Sequence, residues 1–302
     1  MTDVQSLNKQ DDFDDYWAKV DDELGAVDAR PELEFLPRQS TADFSTYALR
    51  LTSIGPYRIF GFYCVPKGDG PFPAILQTPR YGSVNHISDY NDRMRYVCLQ
   101  IMHRGQRLAD VPFSAAYPGL LTHDIDQPER YIYRAIVADC LRAAEFLLSR
   151  DEVDRNRVAI LGDDLALITA ARRSGFAELQ YGTPLLHRAA EARLMTREYP
   201  LEELNDYLRA YPEKQEAVER SLAYVDPVFH APNVKADTVL SLGDDDNADG
   251  MPFMAPLTEA LGGPVEIYKV THQGGADRDR LDRRLAARFG VAPMPRFRTE
   301  YE

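Results

Sequence analysis

Short apolar runs recur along the chain and predict buried β-strands. FPAILQT (72–78) and YVCLQIM (96–102) have the continuous hydrophobicity that is typical of strands in a parallel sheet. RVAIL (157–161) has the same character. Three further strands are predicted at 177–182, 236–243 and 264–270.

Between these runs, apolar residues recur three and four positions apart, which predicts helices. The longest helix is RYIYRAIVADCLRAAEFLLSR (130–150). Other helical segments are predicted at 164–173, around 201–224, at 252–261 and at 277–289. Strands that alternate with helices indicate a doubly wound α/β fold with a mainly parallel sheet. In such folds, chemistry is expected at the carboxyl ends of the strands.

The N-terminal part has a different pattern. DDFDDYWAKVDDEL (11–24) places its apolar residues on one helical face, and 47–66 reads as a β-hairpin that turns at IGPY. We expect one α/β domain over residues 1–302, with 1–45 as an N-terminal helical extension. A helical insertion over the site is predicted at about 185–230.

Composition restricts the partners. The net charge is −13 and no basic stripe is present, so nucleic acid and anionic membranes would be repelled. No run approaches the roughly 18 apolar residues of a membrane span, and the polar, acidic N-terminus predicts a cytoplasmic protein. Cys64, Cys98 and Cys140 are interpreted as buried reduced thiols. We expect no metal site and no cofactor, because the histidines are scattered.

The candidate chemistry begins at LGDDLALITAA (161–171), which joins a predicted strand directly to a helix. A nucleophile elbow needs small residues two before and two after its central residue, because the backbones nearly touch. Gly162 and Ala166 meet this demand around Asp164, whereas centring on Asp163 would place leucines there. No Gly-x-Ser-x-Gly is present, so Asp164 is the predicted elbow residue, in a strained backbone conformation.

Two later strand ends carry the other residues of a hydrolase triad. SLGDDDNADG contains Asp246, and YKVTHQGGAD contains His272. An acid and then a histidine, both after the elbow, is the chain order of α/β-hydrolases.

Several further segments are similar to motifs of a known protein family, and the similarity covers nearly the whole chain. They are RGQ (104–106), YPG (117–119), QPERYIYRAIVADCLRAAEFL (127–147), YVDPVFHAPNVKA (224–236) and HQGG (272–275). With DDFDDYW (11–17), they resemble the acetyl xylan esterases and cephalosporin C deacetylases of carbohydrate esterase family seven. The resemblance implies an α/β-hydrolase fold and a small-molecule substrate. It also implies a homo-oligomer, because members of this family form ring-like hexamers.

The resemblance also assigns roles. It implies that the catalytic histidine is His272 and the acid is Asp246. The oxyanion-hole N–H groups are implied to come from Tyr81 and Leu165, and the serine position falls on Asp164.

This chain departs from the family pattern at several positions. The glycines around the serine are Asp163 and Ala166 here, and the glycine before the oxyanion tyrosine is Arg80. The family's aspartate before RGQ falls near Met102 and His103. We expect Arg80 to pair with Asp164 or to bind an anionic group of a substrate.

The aspartate leaves two kinds of catalytic chemistry open. Ordinary acetyl-ester hydrolysis is not expected, because attack by a carboxylate would have to expel a poorer leaving group than itself. Asp164 is suited to displacement at saturated carbon, with His272 and Asp246 activating water, or to proton transfer with His272. We expect a small-molecule enzyme of one of these kinds. The alternative is a non-catalytic pseudo-esterase that binds or acts as a scaffold.

Overall fold

The computed structural model describes residues 7–83, 86–271 and 273–295, and the strands of these segments form one nine-stranded sheet. The strand order is β1-β2-β3-β5-β4-β6-β7-β8-β9. The strands are β1 (Glu32–Phe35), β2 (Phe44–Ser53), β3 (Tyr57–Pro66), β4 (Phe72–Gln77), β5 (Val97–Met102), β6 (Val153–Gly162), β7 (Glu178–Tyr181), β8 (Asp237–Leu242) and β9 (Val265–Lys269).

From β5 to β9 the strands pair in parallel, while β1, β2, β3 and β5 pair antiparallel. The mainly parallel sheet and the hairpin predicted from the sequence are therefore confirmed. In the hairpin, Leu51 lies opposite Ile59. The edge strand β1 was not predicted, because its four residues are all exposed and give no buried period.

Helices cover both faces of the sheet. They are α1 (Phe13–Gly25), α2 (Tyr90–Arg93), α3 (Ile132–Leu148), α4 (Asp164–Arg172), α5 (Ala189–Ala192), α6 (Glu202–Ala210), α7 (Gln215–Val225), α8 (Pro227–His230), α9 (Met251–Ala260) and α10 (Gly274–Phe289). In β4, Ala74 and Leu76 join the core under α3 and α4, while Ile75 joins the core under α10. Alternate residues thus serve opposite faces, as the period of a strand requires.

The N-terminal helix is fixed to the helical segment before β8. Trp17 is fully buried, and its indole N–H donates to the carbonyl of Tyr224 at 3.0 Å. Cys64, Cys98 and Cys140 are buried free thiols, as predicted. Among the helices of the described segments, none has the length and apolar character that crossing a membrane requires.

Candidate active site at the turn between β6 and α4

The predicted elbow lies where β6 passes directly into α4. A Cβ atom added to Gly162 would lie 2.1 Å from Thr78 Oγ1 and 3.2 Å from the Cβ of Ala166. Real side chains do not approach so closely, so only glycine fits at this position. The close contact between positions 162 and 166 that the sequence predicted is therefore confirmed.

The predicted strain at Asp164 is wrong. Asp164 is the first residue of α4, and it is absent from the non-glycine residues with positive φ among those described. Asp163 occupies the N-cap position instead, and its side chain accepts a hydrogen bond from the N–H of Leu165. An aspartate at the N-cap stabilises the start of a helix, so Asp164 adopts ordinary helical backbone.

The carboxylate of Asp164 is buried and engaged by three donors. The Tyr181 hydroxyl, at the end of β7, donates to Oδ1 at 2.7 Å. The backbone N–H groups of Leu185 and Leu186 both donate to Oδ2 at 2.6 Å. The side chain thus links the start of α4 to the segment that follows β7.

Two effects act on the pKa of Asp164 in opposite directions. Burial raises the pKa above its ordinary value, while the three hydrogen bonds and the nearby His187 favour the charged form and lower it. Burial is the larger effect, so the pKa is raised.

The neighbouring carboxyl group, Asp163, is also almost fully buried. Its Oδ1 accepts from the Leu165 N–H at 3.1 Å. Burial and the adjacent charge of Asp164 raise its pKa to about 7, although the Leu165 hydrogen bond and the charge of Arg80 act against the shift. Asp163 therefore changes its charge near neutral pH.

A small cavity of about 10 Å³ lies against the turn. This volume is at the lower limit of what one water molecule occupies. The cavity brings together four of the residues predicted for the site. Those four are Arg80, Tyr81, Asp164 and Leu165, and the rest of the lining is His103, Tyr133, Asp163, Leu185 and Leu186.

His103 follows β5 directly and is buried. Its Nδ1 lies 2.6 Å from the carbonyl oxygen of Arg104, an arrangement in which Nδ1 carries the proton and donates. Burial lowers the pKa of the ring to about 4, so His103 is neutral at pH 7.

The RGQ motif holds the surroundings of the cavity. Arg104 donates to the buried Asp139 of α3 through its side chain and its backbone N–H. The side-chain amide of Gln106 donates to the carbonyls of Arg80 and Gly82, at 2.9 and 2.6 Å. The motif thereby ties the loop after β4 to the end of β5.

The helical segment before β8 reaches the same loop. Glu203, on α6, accepts hydrogen bonds from the Tyr81 hydroxyl and from the backbone N–H of Leu121. Tyr81 also packs edge-on against Tyr117 of the YPG motif, with ring centroids 5.2 Å apart. Tyr81 is therefore held on two sides.

The remaining predicted residues are placed differently. Asp246 is exposed in the segment between β8 and α9, and it is not among the described residues that line the cavity. His272 lies outside the described residues. Arg80 lines the cavity, and its charge acts on Asp163, the neighbour of the residue it was predicted to pair with.

Three polar residues of the cavity have no role predicted from the sequence: Asp163, His103 and Tyr133. The rule that chemistry lies at the carboxyl ends of strands could have found the first two, because Asp163 follows β6 and His103 follows β5. Tyr133 lies in the first turn of α3, and no signal in the sequence marks it. Among the described residues, no three side chains of metal-ligating type lie together.

Two solved structures are similar to this chain over nearly its full length. The acetyl xylan esterase from Paenibacillus sp. R4 is 25% identical, with 94% of this chain and 96% of that one covered and a TM-score of 0.81. Acetyl xylan esterase 1 from Thermoanaerobacterium sp. JW/SL YS485 has the same fold, at 22% identity, 94% and 95% coverage and a TM-score of 0.77.

Among curated proteins, the acetyl esterase Axe7A of Xylanibacter ruminicola is 24% identical over 179 residues. The match covers 53% of this chain and 40% of that protein, so it spans less than half of the relative's length. The sequence model of the family described as acetyl xylan esterase (AXE1) matches residues 4–253. Because this match covers most of the 302 residues, the chain belongs to the acetyl xylan esterase family of α/β-hydrolases.

Proposed function

We propose that this chain is a non-hydrolysing member of the acetyl xylan esterase family, a pseudo-esterase that binds rather than cleaves. The observation that carries the proposal is the engagement of Asp164. Both of its oxygens accept hydrogen bonds, from one hydroxyl and two backbone N–H groups, in a position that is 1% exposed. A carboxylate has about four acceptor positions, of which three are occupied here, and burial keeps the remaining one from an incoming substrate.

Freeing that carboxylate would be costly. If Asp164 turned towards a substrate, the N–H groups of Leu185 and Leu186 would lose their acceptor. A buried donor without a partner costs about 1–3 kcal/mol. The two N–H groups together would therefore add several kcal/mol to the barrier of a reaction that turns the carboxylate away from them.

The chemistry of a carboxylate supports the same conclusion. Attack on an acetyl ester would form an intermediate from which the carboxylate leaves more readily than the alkoxide, so the reaction would reverse. Displacement at saturated carbon avoids this problem and stays a prediction. It requires a substrate to reach a carboxylate that is buried and held by three donors.

Proton transfer is a second candidate function, and one observation favours it. Asp163 lines the cavity and has a pKa of about 7, which suits a general acid or base at neutral pH. This candidate predicts that turnover depends on pH with a midpoint near the pKa of Asp163. The pH dependence should be lost in Asp163→Asn.

The proposal is tested with p-nitrophenyl acetate, an activated ester that most serine esterases hydrolyse. We expect wild-type turnover at the level of the buffer background. The matched control is His272→Ala, because a working hydrolase would lose its base in this variant. Wild-type turnover that His272→Ala abolishes would contradict the proposal.

We also propose that the chain forms a homo-oligomer. Resemblance to a family of ring-like hexamers supports a homo-oligomer, and the acidic charge of −13 supports a partner that is neither nucleic acid nor membrane. The cytoplasmic location and the small-molecule ligand stay predictions. Light scattering behind size exclusion would report the oligomeric state, and a monomer would contradict it.

A further inference from the structure

The side chain of Asp163 lies across a group that the hydrolase reaction uses. In α/β-hydrolases, the backbone N–H of the residue after the elbow residue stabilises the oxyanion of the tetrahedral intermediate. The elbow position here is Asp164, so the N–H in question belongs to Leu165. That N–H donates to Asp163 Oδ1 at 3.1 Å.

The contact puts a negatively charged oxygen where an oxyanion would have to lie. Asp163 is 7% exposed and lines the cavity together with Leu165, Tyr81 and Arg80. A carboxylate oxygen resembles the oxygen of a tetrahedral intermediate in its charge and in its need for hydrogen-bond donors. The two therefore compete for the same N–H.

We propose that Asp163 is an internal plug of the oxyanion site, which slows ester hydrolysis independently of the residue at position 164. The hydrogen bond from the Leu165 N–H to Asp163 caps α4 and also occupies the N–H that an oxyanion would need. This inference goes beyond the proposed function, because it predicts that a serine at position 164 is not sufficient to recover esterase activity.

The charges around Asp163 decide how firmly the plug is held. Arg80 favours the carboxylate, whereas Asp164 and the buried surroundings favour its protonated form, so the pKa lies at about 7. The other titratable groups that interact electrostatically with Asp163 are Tyr133 and Cys140 on α3 and Tyr181 on β7, and His103 after β5 lines the same cavity. Tyr133, Tyr181 and Cys140 have raised pKa values and His103 has a lowered one, so all four are neutral at pH 7.

The test compares Asp164→Ser with the double variant Asp163→Gly/Asp164→Ser in the p-nitrophenyl acetate assay. Glycine is itself a favourable N-cap residue, so α4 should keep its start. Loss of one oxyanion donor lowers kcat by about 10²–10³-fold in hydrolases. We therefore expect the double variant to exceed Asp164→Ser by about 100-fold or more.

Equal activity of the two serine variants, when both turn over, would overturn the plug. Turnover by wild type would contradict the proposed function but not this comparison, so the two failures are distinguishable. Thermal melts before the assay would show whether either variant is unfolded.

A second measurement decides the case in which neither serine variant is active. In ¹⁵N-labelled wild type, the Leu165 amide proton should titrate with a midpoint near the pKa of Asp163, about 7. The titration should vanish in Asp163→Gly. A Leu165 amide whose shift does not follow this titration in wild type would overturn the proposal, because the carboxylate would not be its acceptor.

Discussion

Replacement of Asp163 by asparagine should stabilise the protein above neutral pH. Asparagine keeps the shape of aspartate and an oxygen that accepts from the Leu165 N–H, but it removes the charge. In wild type, burial raises the pKa of Asp163 from 3.8 to about 7. The folded protein therefore holds a proton at pH values where the unfolded chain has released it.

The sign of the pH dependence follows from that difference. The contribution of Asp163 to stability is fully present below the unfolded pKa of 3.8 and is lost as the pH rises towards about 7. Each unit of pKa shift corresponds to about 1.4 kcal/mol, so the total loss is on the order of 4 kcal/mol. Asp163→Asn does not lose this contribution, because it cannot release a proton.

Two buried histidines act in the opposite direction. Burial lowers the pKa of His103 to about 4 and that of His230 to about 3, so their contributions are lost as the pH falls below the ordinary value of 6.5. They are the same in both proteins, and they cancel when the variant is compared with wild type at each pH.

The assay is urea unfolding of wild type and Asp163→Asn across the titration range. Between about pH 5.5 and about pH 8.5, the stability advantage of the variant should grow by about 2 kcal/mol. The range begins above the isoelectric point of about 5.0, because a net charge near zero promotes association. A difference that does not change with pH would refute the assignment of a near-neutral pKa to Asp163.

Two further substitutions test the contacts of the turn. Asp164→Ala should lower the free energy of unfolding by about 2–4 kcal/mol, since it leaves the N–H groups of Leu185 and Leu186 without their acceptor, while the exposed Asp69→Ala should stay within about 0.5 kcal/mol of wild type. An equal effect of the two would contradict the anchoring role. Gly162→Ala should destabilise by about 1–3 kcal/mol or more through overlap with the Thr78 hydroxyl, and Thr78→Ala in the same chain should recover part of the loss, as thermal melts would show.

Most of the fold could be predicted from the sequence, because the apolar residues of its helices and strands recur with clear periodicity. The long apolar helix at 130–150 corresponds to α3 and the run at 157–161 lies within β6, and each differs from the structure only at its ends. Among the strands, the exception is β1, a short edge strand with no buried position. An edge strand of this kind is defined by its pairing with β2, which the sequence pattern does not contain.

The site could be predicted only in part. Local spacing placed Asp164 at the turn, because the steric demand on Gly162 and Ala166 is itself local. The direction of its carboxylate depends on Tyr181 and on the N–H groups of the segment after β7, which are contacts between distant parts of the chain. The helical backbone at Asp164 could have been predicted, since an aspartate directly before a helix is a strong N-cap signal.

The central claim is that Asp164 does not act as a nucleophile. The most direct test is intact-protein mass spectrometry of His272→Ala after incubation with an aryl epoxide and with a primary alkyl bromide. Without the histidine, an alkyl ester on a nucleophilic carboxylate would accumulate rather than be hydrolysed. We expect peptide mapping to find no adduct on Asp164. A stoichiometric adduct on this residue would contradict it and would show that the chain is a displacement hydrolase.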